Sequence, residues 1–201
     1  FNFPVAPWSW NAALAAVCGD TMIWKPSSKT PLSAIAVQHI LADVVRSNNL
    51  PDGIFNLVIG SGSDIGEQMI NDPSIDLISL TGSTKVGRHG AQAVASRFGR
   101  CILELGGNNA IILTPHANLK LAVPAIVFSA VGTAGQRCTS TRRLIIHDSI
   151  YDKVKEALLK AYKSLKIGSP LDENNHVGPL TDRSAAVKYQ EALEQLEAQG
   201  G

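Results

Sequence analysis

A cysteine closes a small-residue loop, Gly132-Thr133-Ala134-Gly135-Gln136-Arg137-Cys138-Thr139, directly after an arginine. Ala122 to Ala130 before it is apolar with helix-compatible spacing, and Leu144-Ile145-Ile146 after it reads as a strand. A thiol on a turn between packed elements is held and yet reachable, which is what a covalent nucleophile requires. The competing reading is a buried structural cysteine. Glu104 ends an apolar strand, between Leu103 and Leu105 and ahead of Gly106-Gly107. A carboxylate there is expected to be partly desolvated and suited to general-base work; the alternative is a strand-end glutamate, solvated or paired with Arg100. Asn2 precedes Phe3-Pro4. Its amide could donate to a developing oxyanion or simply serve the turn.

Two glycine-rich strand-to-helix turns form a second group. Gly60 to Gly66 follows the spacing Gly-x-Gly-x-x-x-Gly, one residue longer than the usual dinucleotide fingerprint. Gly82-x-x-x-x-Gly87 is flanked by the hydroxyls of Thr81 and Ser83. Glycine before a helix lets backbone amides approach a phosphate, and the helix N-terminus favours its charge. Glycine is also ordinary turn chemistry, but two such turns in successive strand–helix units favour a nucleotide. Lys25 ends a strand before Pro26, where it could hold ribose hydroxyls or phosphate, or simply be solvated.

These residues need a scaffold. Trp8 to Val17 has helical spacing and reaches a capping glycine at Gly19; Pro4 and Pro7 keep the segment before it from being helix interior. Thr21 to Lys25, Ile54 to Ile59, Ile75 to Leu80 and Cys101 to Leu105 read as strands. A helix over Leu32 to Val44, a short one after Gly66 and one ending near Phe98 alternate with them. Strands that are apolar on both faces and alternate with helices mean a parallel sheet covered on each side. Beyond Gly107, Asn109 to Leu113 is another strand, Leu119 to Ala130 a helix carrying Pro124, and Ile150 to Leu165 an amphipathic helix. A loop from Gly168 to Leu180 leads to a polar helix over Arg183 to Ala198. The expected organisation is α/β: a Rossmann-like parallel sheet with helices on both faces over residues 1–106, then the start of a second α/β domain over 107–201.

Composition narrows the function classes. The chain has 201 residues, 45% hydrophobic and 17% charged, with a formal net charge of +1. That balance offers no electrostatic case for nucleic acid or an anionic membrane surface. Three cysteines without regular spacing read as free thiols in a reducing compartment, and five scattered histidines show no metal-ligand spacing. No apolar run reaches membrane-spanning length. The chain starts at Phe1 inside an apolar segment and stops at Gly200-Gly201 after a helical stretch, so it reads as an internal fragment of a longer protein.

Taken in order, Phe1-Asn2-Phe3-Pro4, Trp24-Lys25-Pro26-Ser27, Leu80-Thr81-Gly82-Ser83-Thr84, Leu103-Glu104-Leu105-Gly106-Gly107-Asn108 and Gly135-Gln136-Arg137-Cys138 resemble the aldehyde dehydrogenase superfamily. The intervals from Asn2 to Lys25 and from Glu104 to Cys138 match the family pattern, and the likeness runs over the whole chain. Glu-Leu-Gly-Gly-Asn-Asn-Ala, Gly-Thr-Ala-Gly-Gln-Arg-Cys-Thr and Phe-Asn-Phe-Pro-Val-Ala resemble its antiquitin branch, the alpha-aminoadipic semialdehyde (piperideine-6-carboxylate) dehydrogenases of lysine breakdown.

The resemblance implies NAD-dependent oxidation of an aldehyde to a carboxylic acid. It makes Cys138 the nucleophile, Glu104 the base that activates the hydrolytic water, and Asn2 an oxyanion donor together with the Cys138 backbone amide. It puts Lys25 at the adenine ribose, Gly82 and Ser83 at the pyrophosphate, and Thr81, Val86, Gly60 and Gly66 along the cofactor cleft. Leu105 would present its backbone near the nicotinamide. Ser28 stands where many relatives carry a glutamate that reads the ribose 2′-hydroxyl, so NAD is implied ahead of NADP with a weaker barrier to the latter. Arg137 is the expected anchor for a substrate carboxylate, or else the partner of a neighbouring carboxylate, and Thr139 a further substrate contact. No metal is implied. The expected partners are a small aldehyde and further copies of the chain, as a dimer or tetramer, in the cytoplasm or alternatively the mitochondrion. The family's second cofactor-binding glutamate falls outside the 201 residues, so the fragment alone is expected to be inactive. The competing functions are oxidation of betaine or an aliphatic aldehyde, and a non-catalytic nucleotide-binding protein of the same fold.

Overall fold

The computed structural model describes residues 1–200. The chain opens with helix α1 (Ala6–Cys18). Strand β1 (Met22–Trp24) then passes through α2 (Pro31–Ser47) to β2 (Phe55–Leu57). After a short helix α3 (Glu67–Asn71), β3 (Leu77–Gly82) passes through α4 (Thr84–Ser96) to β4 (Arg100–Leu105). The third unit is β5 (Asn109–Leu113), α5 (Leu119–Val131) and β6 (Thr141–Ile146). Helices α6 (Tyr151–Lys163) and α7 (Arg183–Ala198) follow. Each strand pair is parallel, as a helical crossover demands. Contacts group the chain into two compact units, one of Phe1 and Phe3–Leu105, the other of Asn2 and the residues from Gly106 onward.

In the first unit Ile78 is buried with Ile70 and Val94, and Leu80 packs against them. Ile78 and Leu80 share one face of β3, because strand side chains alternate, and α4 covers that face. Two glycines on α4 allow the approach. A Cβ on Gly90 would lie 2.9 Å from Leu80 Cδ1, and one on Gly87 would overlap the side chain of Leu105. The opposite face of β3 meets α1, where Asn11 Nδ2 donates to Ser79 Oγ at 2.7 Å. Helix α1 also stacks Trp8 on Trp24 of β1, with ring centroids 4.3 Å apart and planes 13° from parallel. The second unit builds its core from Leu113, Ile126 and Val154, one each from β5, α5 and α6.

The structure differs from the sequence reading in three places. Helix α1 starts at Ala6 and takes in Pro7, since a missing amide costs nothing in a first turn. Strands β1 and β2 are only three residues long, and the ladders join strands in pairs, β1–β2, β3–β4 and β5–β6, rather than in one run. The glycine turn before α3 is a single π-helical turn over Gly62–Gly66, with Gly66 N donating to Ser61 O at 3.1 Å. The extra residue in the Gly-x-Gly-x-x-x-Gly spacing is what widens that turn.

Candidate active site

In the first unit most of the expected cofactor residues fall into two local groups. Lys25 follows β1, and its Nζ donates to Pro26 O at 3.0 Å and Gly60 O at 3.3 Å. Its stem runs against the π-turn, with Cε 3.7 Å from where a Cβ on Gly66 would sit. Half-burial pushes the Lys25 ammonium below its ordinary pKa, because a desolvated cation is disfavoured. Thr81 and Gly82 end β3 and are exposed, and Ser83 caps α4, its Oγ accepting from Val86 N at 3.3 Å. A cation beside a glycine turn, and separately a capped helix N-terminus, each offer donors of the kind that fit an anionic, hydroxyl-rich group. Ser28 is exposed, and Leu105 is half-buried against α4.

In the second unit the Cys138 loop is strained and braced. Thr133 (φ 55°), Ala134 (φ 53°) and Gly135 (φ 70°) are three successive left-handed residues. Gly135 takes that conformation freely, whereas it costs about 1–2 kcal/mol at Thr133 and again at Ala134. Hydrogen bonds hold the turn. Gln136 donates from its backbone and its side-chain amide to Thr133 O, both at 3.0 Å, and its Oε1 accepts from Thr181 N at 2.8 Å. Arg137 Nε donates to Thr133 Oγ1 at 2.9 Å, and its guanidinium lies 5.0 Å over the Phe128 ring. Gly132 leaves room for that guanidinium, since a Cβ there would stand 2.8 Å from Arg137 Cζ. Cys138 and Thr139 are exposed at the end of this braced turn, whereas Ser140 is buried at 1% exposure. Within these residues Cys138 is exposed, as are Cys18 and Cys101.

Asn2 belongs to this second unit. Its Nδ2 donates to Gln136 O at 2.7 Å, two residues before Cys138. A side-chain amide from the start of the chain is thus brought to the candidate nucleophile's loop. Asn109 is a residue the sequence reading missed. It opens β5, and its Nδ2 donates to Cys138 O at 2.7 Å and to Ser140 O at 3.0 Å. An asparagine in a Gly-Gly-Asn-Asn run looks like turn chemistry, and no periodicity marks it.

The expected desolvation of Glu104 requires a correction, because its side chain is exposed. Leu103 and Leu105 alternate toward α4, which leaves Glu104 on the other face, in register with exposed Thr81. The apolar neighbours in sequence are therefore not its neighbours in space.

The sequence profile of the aldehyde dehydrogenase family matches residues 1–201. The alpha-aminoadipic semialdehyde dehydrogenase of Bos taurus is 49% identical over 201 residues, covering all of this chain and 37% of that protein. Betaine aldehyde dehydrogenase from Staphylococcus aureus, solved in complex with NAD+, superposes with a TM-score of 0.94 at 32% identity. That match covers 99% of this chain and 39% of the other. An NADP-dependent enzyme from Escherichia coli gives a TM-score of 0.87 at 38% identity, over 96% of this chain and 40% of that one. The chain thus spans about two fifths of the length of such relatives. With its profile matched from end to end, this chain belongs to the aldehyde dehydrogenase family.

Proposed function

We propose that the intact protein oxidises an aldehyde to a carboxylic acid with NAD, and that its substrate is L-2-aminoadipate 6-semialdehyde. The observation that carries the reading is the 2.7 Å bond from the Asn2 amide to Gln136 O, which delivers an oxyanion-type donor to the loop of an exposed cysteine. In this mechanism the Cys138 thiolate attacks the aldehyde carbon to give a thiohemiacetal. The Asn2 amide and the Cys138 backbone N–H stabilise the oxygen as it becomes negative. NAD, when bound, supplies the hydride acceptor. Glu104 takes a proton from the water that hydrolyses the resulting thioester, releasing the acid and freeing Cys138. Its exposure on β4 suits a group that must meet water.

Lys25, Gly60, Gly66, Thr81, Gly82, Ser83 and Val86 would hold the cofactor, with Leu105 near its reactive end and Ser28 beside the ribose. In this reading residues 1–106 are the cofactor-binding part and 107–201 the catalytic part. Exposed Ser28 and the NADP-dependent relative keep NADP as the second reading of the cofactor. Arg137 and Thr139 are the proposed substrate contacts, and the name of the bovine relative supports the semialdehyde. The protein would act as a homodimer or homotetramer in the cytoplasm, with the mitochondrion as the alternative compartment.

The test is NADH formation by the intact protein with the semialdehyde, betaine aldehyde and propanal, each with and without Cys138→Ala. Preference for the semialdehyde, abolished by the substitution, is the expected result. Preference for another aldehyde would keep the chemistry and discard the substrate. No Cys138-dependent NADH with any aldehyde would overturn the reading.

A further inference from the structure

We propose that Asn109 is the positioning residue for Cys138, a role that rests on Cys138 being the nucleophile. The segments Gly107–Asn109 and Arg137–Arg143 run alongside each other but are not joined there by a regular ladder. The β5–β6 register slips between Asn109 and Ala110, so that Asn109 pairs with Thr141 and Ala110 with Arg143. Such a bulge leaves one residue over and interrupts backbone pairing next to it. Side chains take up the join. Arg142 Nε donates to Gly107 O at 3.1 Å, and Arg143 donates to Asn108 O through Nε at 3.1 Å and Nη2 at 2.7 Å. Asn109 Nδ2 reaches furthest into the loop, to Cys138 O and Ser140 O.

The effect on Cys138 is specific. Asn2 holds the carbonyl of Gln136 on one side of the cysteine, and Asn109 holds the carbonyl of Cys138 itself on the other. Ser140 closes the turn between them, its N donating to Arg137 O at 3.2 Å and its Oγ accepting from Arg137 N at 3.2 Å. With Arg137 O held by Ser140 N and Cys138 O by Asn109 Nδ2, the peptides on both sides of Cys138 are tied, and its backbone is fixed while its thiol stays exposed. That combination suits a nucleophile whose direction of attack must be set before substrate arrives. Asn109 touches no reacting atom in this scheme and acts through the Cys138 peptide.

The test compares the intact protein with Asn109→Ala and Asn109→Asp, the second keeping shape but turning an oxygen toward two carbonyl oxygens. Turnover is normalised to the concentration of NAD-binding sites, titrated with NAD, so that loss of folded protein does not masquerade as slower chemistry. Misplacing a reacting group by about 1 Å costs on the order of 100-fold. Normalised kcat is therefore expected to fall about 10- to 100-fold, further for Asp than for Ala, with KM for NAD within about twofold. Hydrogen exchange over residues 136–140 should accelerate in both variants while α4 is unchanged. Normalised kcat within about threefold of the parent in both variants, or unchanged loop exchange, would overturn the proposal. If the parent itself shows no Cys138-dependent turnover, the reaction assignment fails and the positioning role with it. The exchange data then report only whether Asn109 holds the loop.

Discussion

Arg137 offers a substitution whose consequences separate two roles of one side chain. Its guanidinium is held by Thr133 Oγ1 at 2.9 Å and by the Phe128 ring at 5.0 Å. The net value of a hydrogen bond is about 1 kcal/mol and that of a half-exposed cation–π contact about 0.5–1 kcal/mol. Removing both in Arg137→Ala therefore loosens the Cys138 turn by about 1.5–2 kcal/mol, or roughly 10- to 30-fold on kcat/KM. That loss is common to every aldehyde, because it acts on the nucleophile's loop. If the same guanidinium also binds a substrate carboxylate, a further loss of about 1.5–3 kcal/mol falls on the carboxylate-bearing semialdehyde alone. The ratio of kcat/KM for semialdehyde over propanal should then drop at least about tenfold in Arg137→Ala. Arg137→Lys keeps the charge but loses the planar stack and the Nε bond, so it should show the common loss with a smaller change in ratio. Steady-state NADH kinetics with both aldehydes provide the assay. An unchanged ratio in Arg137→Ala would refute the carboxylate anchor, and unchanged propanal kinetics would refute the brace.

Lys25→Met should weaken NAD binding, measured by calorimetry on the intact protein, while raising the unliganded protein's stability at pH 7. The sign follows from desolvation: the folded pKa of Lys25 is lowered, so the unfolded chain binds more protons between the folded and ordinary lysine values. Stability of the parent thus rises with pH across that window, and the gap to Lys25→Met should shrink toward alkaline pH; a gap that widens would contradict it. Ile126→Ala, at 2% exposure between Leu113 and Val154, should cost about 2–5 kcal/mol in denaturant unfolding. Ile112→Ala, at 68% exposure on the same unit, should stay within about 0.5 kcal/mol, and equal losses at the two sites would mean the core is misplaced.

Local patterns carried much of this protein. Alternation of short apolar runs with helical spacing was enough for the parallel strand–helix–strand units, and Gly19 was legible as a helix cap because a glycine ending a helical stretch accepts the left-handed conformation it takes here, φ 84°. The residue types of Asn2, Glu104 and Cys138 marked them as candidates for chemistry, since few side chains do such work. Other features depended on residues distant in sequence. Glu104 lies between two leucines, yet alternation turns it away from the packed face, so its exposure was decided by where α4 lies. Arg137 lies on Phe128 because a turn folds the loop back onto α5. Asn109 reaches Cys138 O where the register of β5 against β6 shifts. Sequence periodicity records which face of an element is buried, a local property of the chain. Which carbonyl a given amide meets is set by the pairing of segments far apart along it, and only the tertiary structure decides that.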